Sequence, residues 1–163
     1  MFIGLFVSIF CYFNFFAKSA PLLANYYLRW DLLIFDMENE VTNPDKIRKI
    51  RQLHPGIKIL AYVTSQEIKN ENLGFMRAQL KSGISDSWYL RRLNGDKISF
   101  WPGTTMLNPT DVCPVSNGQR WNDYLASFMS NEILSTGLWD GVFYDNTWGD
   151  LTWFTGSNVD LNL

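Results

Sequence analysis

Acidic and amide side chains recur where apolar runs of this 163-residue chain end. Asp145-Asn146 closes Val142-Phe143-Tyr144, a β-branched and aromatic run that reads as a buried strand. Asp36 and Glu38 follow Leu32-Leu33-Ile34-Phe35. Ser65 and Glu67 follow Ile57 to Val63, and Asn108 follows Thr105-Met106-Leu107. If these strands are parallel, their ends share one rim, and ligands bind at that rim in parallel sheets and barrels. Carboxylates gathered there, with amides, suit cleavage of a glycosidic bond. One carboxylate attacks or stabilises the anomeric carbon, and a second, protonated one serves the leaving oxygen. Crowding of acids raises at least one pKa and so supplies the protonated partner.

On this reading Asp145 and Asp36 are the catalytic carboxylates. Asn146, Glu38, Glu67 and Asn108 are expected to contact substrate. Trp101 and Trp148, in loops of the same rim, are expected to offer flat faces to sugar rings. Each acid and amide has a competing reading, because the same residue types cap helices and close turns. Asp140 is set apart. It lies five residues before Asp145, roughly 16 Å away along an extended strand, so it falls on the opposite rim and is expected to be structural.

The elements that must position these groups are legible as alternating patterns. Leu32 to Asp36 is a continuous apolar run of the kind buried on both faces of a parallel sheet. Asn43-Pro44-Asp45 marks a helix start, with Asn43 as N-cap, and Ile47, Ile50 and Leu53 recur at helical spacing. Ile57 to Val63 is the next strand, so a β–α–β unit spans 32 to 63. Residues 72 to 82 suit a helix, Asn94-Gly95 a tight turn, and Thr105 to Asn108 a short third strand. Gln119 to Ser135 is the clearest helix, closed by Gly137, and Asp140 to Asp145 is the fourth strand. The order predicts an α/β fold on a parallel sheet.

Composition narrows the partners. A net charge of −2 without a basic stripe gives no footprint for nucleic acid. No glycine-rich phosphate loop follows a strand. One His and two Cys in the whole chain leave little for a zinc site or a Cys–His dyad, so no metal or cofactor is expected. The first sixteen residues are almost wholly apolar, and Ala17-Lys18-Ser19 suits cleavage after Ser19. Residues 1–19 are therefore read as a signal peptide of a secreted protein without stable membrane association, with an uncleaved N-terminal anchor as the alternative. Residues 20–163 form the domain.

The strings WDLLIFDME, PDKIRKIRQLHPGIKILAYVTS, WYLRRLNGDKISFWPGTTMLNPTD and WDGVFYDNTWGD resemble the glycoside hydrolase-like TIM-barrel family (glycosyl hydrolase-like family 15 type). They are more distantly similar to alpha-galactosidase-type and polygalactosaminidase-type barrels. The resemblance runs from about Tyr27 to Asp150. It implies a nucleophile or stabiliser role for Asp145, since alpha-galactosidase-type relatives carry Asp followed by Asn at the end of the fourth strand. It implies an acid/base on a later strand. A full barrel has eight strands in about 250 residues, whereas four are legible here. The expectation is thus the N-terminal half of a (β/α)8 barrel, truncated, lacking the second carboxylate and open to self-association through strand edges. The alternative is a non-catalytic carbohydrate-binding remnant.

Overall fold

The computed structural model describes residues 9–12, 29–99 and 101–149. They divide into two compact units. The first is Met1–Val63 with Asn131–Phe143, and the second is Thr64–Ser130 with Tyr144–Leu163.

The first unit is built on a parallel sheet in the order β1 (Ile9–Tyr12), β2 (Leu32–Asp36), β3 (Lys58–Thr64), β6 (Gly141–Asp145). β2 (Leu32–Asp36) pairs with β3 (Lys58–Thr64), from Leu32 opposite Lys58 to Asp36 opposite Tyr62. Leu33, Ile34, Phe35 and Asp36 are all buried in succession, as a run without alternation requires. β6 (Gly141–Asp145) adjoins β3. It is half-exposed rather than buried, with Phe143 stacked on Tyr62 at 6.1 Å, because it is the last strand of the sheet among the described residues.

β1 (Ile9–Tyr12) pairs in parallel with β2, Ile9 opposite Leu32 through Tyr12 opposite Phe35. It lies inside the segment read as a leader. Hydropathy alone does not separate the two, because a signal core and a strand of a parallel sheet are both short apolar runs. The expected cleavage point at Ser19 lies outside the described residues. Among the described residues, no helix is long and apolar enough to cross a membrane.

Between β2 and β3 come a single turn, α1 (Asn39–Thr42), and α2 (Pro44–Leu53). Ile47 and Ile50 face inward, but Leu53 is 45% exposed and not part of the expected apolar face. Asn43 stands at the N-cap without capping α2 through its side chain. Its Nδ2 donates instead to Asn39 Oδ1 and Thr42 Oγ1, both at 3.0 Å, because the preceding residues are already helical.

Asp140 anchors the start of β6. Arg51 Nη2 lies 2.7 Å from its Oδ2, and the Ile59 N–H donates to the same oxygen at 2.8 Å. Arg51 also donates to the Leu138 carbonyl through Nε and Nη2. Burial pushes the Asp140 carboxyl up, but the bonds and charge of Arg51, the Ile59 N–H and Lys58 outweigh it and hold it below its usual 3.8. A depressed folded-state pKa gives stability that is present above the unfolded value and lost as pH falls through the folded one. Asp140→Asn should therefore lose stability at neutral pH and show a weaker further loss on acidification below 3.8. Thermal unfolding at a series of pH values checks this. An acid dependence identical to the parent would remove Asp140 from the account.

The second unit carries α3 (Phe75–Ser82), α4 (Trp121–Phe128) and a two-stranded antiparallel sheet of β4 (Glu67–Lys69) and β5 (Thr104–Met106). This corrects the expected third parallel strand. The Thr105 segment pairs back on β4, Glu67 opposite Met106, so it never joins the parallel sheet. Three residues are too few to carry a periodic signal that would reveal direction. The core of this unit is aromatic: Trp88 and Trp121 are buried, and Tyr124 lies 5.4 Å from Trp88 and 6.2 Å from Trp121. A Cβ on Gly83 would overlap the Tyr124 hydroxyl, which donates to the Leu80 carbonyl at 2.9 Å.

The helix expected to run to Ser135 leaves α geometry at Phe128. Met129–Ile133 is π-helical and Leu134–Thr136 is a 3₁₀ turn, closed by left-handed Gly137. Ser135 and Thr136 hydroxyls take the carbonyls of Asn131 and Ile133, a side-chain competition that disfavours a regular end.

Candidate active site

Asp145, Asn146 and Glu67 come together in the second unit. β6 ends at Asp145. Asn146 then adopts φ 58°, a left-handed conformation that Asn tolerates better than most residues. This turns its N–H onto Asp145 Oδ1 at 2.8 Å and its side-chain Nδ2 onto Glu67 Oε1 at 3.0 Å. The Asp145 carbonyl is fixed by two donors, Ser65 N–H and Ser65 Oγ, both at 2.9 Å.

Glu67 is a strand residue rather than a helix cap or turn. It opens β4 and is 7% exposed. Its Oε2 is 3.1 Å from Thr104 Oγ1 on β5. Burial raises the Glu67 pKa above 4.5, and the charge of Asp145 raises it further, against the hydrogen bond of Asn146 and the charge of Lys69. Two carboxyl groups in unlike environments are therefore neighbours, one of them biased toward the neutral acid.

Both tryptophans are tied to this region. Trp101 is 51% exposed at the start of a Trp101-Pro102-Gly103-Thr104 turn, with Gly103 at φ 80° and Thr104 N–H on the Trp101 carbonyl at 3.0 Å. Pro then Gly with positive φ is the type II pattern. Thr104 belongs to that turn and reaches Glu67, so an exposed indole and the buried acid are joined through one residue. Trp148 lines a cleft of about 450 Å³ with Ser65, Gln66, Thr110, Trp121 and Tyr144 among its walls. Gln66 is 3% exposed and donates from Nε2 to the Trp148 carbonyl at 3.0 Å. Trp121 Nε1 donates to the Ser65 carbonyl at 2.6 Å. Glu67 and Asp145 do not themselves line the cleft. Their chain neighbours Gln66 and Tyr144 do.

Three expected site residues serve turns. Asn108 Oδ1 accepts from Thr110 N–H at 3.1 Å and Thr110 Oγ1 at 2.6 Å. It follows an antiparallel strand, so it does not reach a rim by the route expected. Asp36 and Glu38 stand at the end of β2 in the first unit, where Asp36 Oδ1 accepts the Glu38 N–H at 3.0 Å. Glu38 is buried, and its carbonyl accepts from Thr42 Oγ1 at 2.9 Å. Among the described residues, no three His, Cys, Asp or Glu side chains group as a metal site. Cys113 is buried, which raises its thiol pKa and makes it a poor nucleophile.

Thr104 and Gln66 were not singled out from sequence. Nothing local marks either, since Thr104 meets Glu67 across 37 residues and Gln66 meets Trp148 across 82.

Among solved structures, the chain is similar to the glycoside hydrolase domain of PelA from Pseudomonas aeruginosa. Identity is 12%, over 85% of this chain and 44% of that one, with a TM-score of 0.47. A glutamate-to-alanine variant of the same domain matches with 12% identity, the same coverage and a TM-score of 0.46. The chain thus spans less than half the length of those domains. No curated protein matches it. The model of a protein family described as hypothetical glycosyl hydrolase family 15 matches residues 51–163, more than half of the sequence, and the chain belongs to that family.

Proposed function

We propose that this chain supplies carboxylates for hydrolysis of O-glycosidic bonds in an oligo- or polysaccharide. Asp145 acts as nucleophile or charge stabiliser at the anomeric carbon. Glu67, assigned above only to substrate contact, acts as the protonated carboxyl that serves the leaving oxygen. Asn146 holds the two in register, and Trp148 and Trp101 offer stacking faces to sugar rings. Asp36, Glu38 and Asn108 receive no step. The observation that carries the reading is the 3.0 Å bond from Asn146 to Glu67, which couples the acid on β4 to the carboxylate end of β6. Family membership supports the reaction class. The leader reading adds that the protein works outside the cell.

Non-catalytic carbohydrate binding is favoured by one observation: the cleft walls include Trp148 and Tyr144 but neither carboxylate. One experiment separates the two readings. The protein is incubated with neutral, acidic and amino-sugar oligosaccharides, and new reducing ends are measured beside binding by calorimetry. Release of reducing ends supports hydrolysis. Saturable binding without release replaces hydrolysis by the binding reading. Neither binding nor release on the whole panel defeats both.

A further inference from the structure

We propose that Thr104 is a positioning residue whose hydroxyl accepts a hydrogen bond from the protonated Oε2 of Glu67 and hands its own hydrogen to the Trp101 carbonyl. The hydrolytic use of that proton rests on the function proposed above. The hydrogen-bond assignment itself does not.

The argument is a count of hydrogens. Glu67 Oε1 already accepts from Asn146 Nδ2 at 3.0 Å, so a proton on this carboxyl sits on Oε2. Among the described residues, the partner of Oε2 is Thr104 Oγ1 at 3.1 Å. A threonine hydroxyl has one hydrogen and can accept two. The Trp101 N–H points at Thr104 Oγ1 from 3.3 Å, and the Trp101 carbonyl lies closer, at 2.8 Å. The single hydroxyl hydrogen goes to the nearer acceptor, which leaves Thr104 Oγ1 as acceptor toward Glu67. The Trp101 carbonyl also takes the Thr104 N–H at 3.0 Å and Ser99 Oγ at 2.8 Å. Ser99 is exposed, so water can take its hydroxyl and free a lone pair for Thr104. The resulting order, Glu67 O–H to Thr104 O–H to Trp101 C=O, satisfies every group only while Glu67 is neutral. The charged groups bearing on Glu67 are Asp145, which favours the neutral form, and Lys69, which opposes it. A Thr104 that instead donated to Glu67 would favour the carboxylate. The two assignments therefore predict opposite shifts on removal of the hydroxyl.

The test is the titration of the Glu67 side-chain carboxyl by carbon-13 NMR in the full chain, with Thr104→Val and Thr104→Ser. Valine keeps the β-branched shape that suits β5 and removes the acceptor of the neutral acid. The Glu67 midpoint is expected to move down in the valine variant and to stay at the parent value in the serine variant. If the protein proves hydrolytic, the alkaline fall of its rate profile should shift to lower pH in step. An upward or absent shift in Thr104→Val, or an equal shift in Thr104→Ser, overturns the assignment. A downward shift in a protein without hydrolytic activity keeps the hydrogen-bond order and defeats only the hydrolytic reading.

Discussion

Asp145→Asn is expected to lower kcat/KM by at least about 1,000-fold on any glycoside the protein cleaves, roughly 4 kcal/mol of transition-state stabilisation. The substitution keeps the shape of the side chain and removes its charge. The interactions that fix the strand end should survive it, because Ser65 holds the Asp145 backbone carbonyl rather than its side chain. Thermal stability near the parent value, with activity lost on substrates of every leaving group, is the expected pair of results. A variant that folds and still hydrolyses would remove Asp145 from the chemistry. Loss of folding alone would be seen in the melting curve and would not count as a catalytic effect.

Glu67→Gln is expected to behave differently. A general acid contributes about 100- to 10,000-fold, and its contribution depends on how badly the leaving oxygen needs a proton. The variant should lose that factor on natural oligosaccharides and retain most of its rate on an aryl glycoside whose leaving group departs as the anion. The pH profile gives an independent check. Burial first, and then the charge of Asp145, raises the Glu67 pKa above 4.5. The active form is the protonated one, so activity falls as pH rises through the folded-state value, and Glu67→Gln should lack that alkaline limb. The same raised pKa has a cost in stability. Below 4.5 the group is protonated in both folded and unfolded chains, and as pH rises the unfolded chain releases its proton first, so folding weakens through that window. A Glu67→Gln protein equally slowed on both substrate types would assign Glu67 to binding alone.

The strand ends were legible because they obey a period. Continuous apolar runs marked β2 and β3, and five residues of extended chain separated the anchoring Asp140 from Asp145. The Arg51 and Ile59 contacts of Asp140 fulfil that reading. The burial of Glu67 was not legible, because Thr64-Ser65-Gln66 reads as a polar loop. The residue opens a second strand whose partner, Thr104, is visible only through tertiary pairing. Thr105 to Asn108 was misassigned for the related reason that a three-residue strand carries no sign of direction. Asn43 had the right position for a cap but spent its amide on the turn before it. Where local pattern located an element, a distant partner still fixed what its side chains do, and β4 was visible only through its partner.

The bond between the Ile59 N–H and Asp140 joins residues 81 apart in the chain, and this imposes an order on biosynthesis. β3 leaves the ribosome well before the strand that will lie beside it. At about 5–20 residues per second the wait is on the order of 4–16 s. Through that interval β3 presents an unpaired apolar edge, a template for any other nascent strand nearby. A host that slows elongation between the codons for Ile59 and Asp140 would lengthen the exposure, and one that speeds it would shorten it. Recovery of soluble protein should therefore respond to synonymous codon choice in this interval more than to the same changes placed after β6.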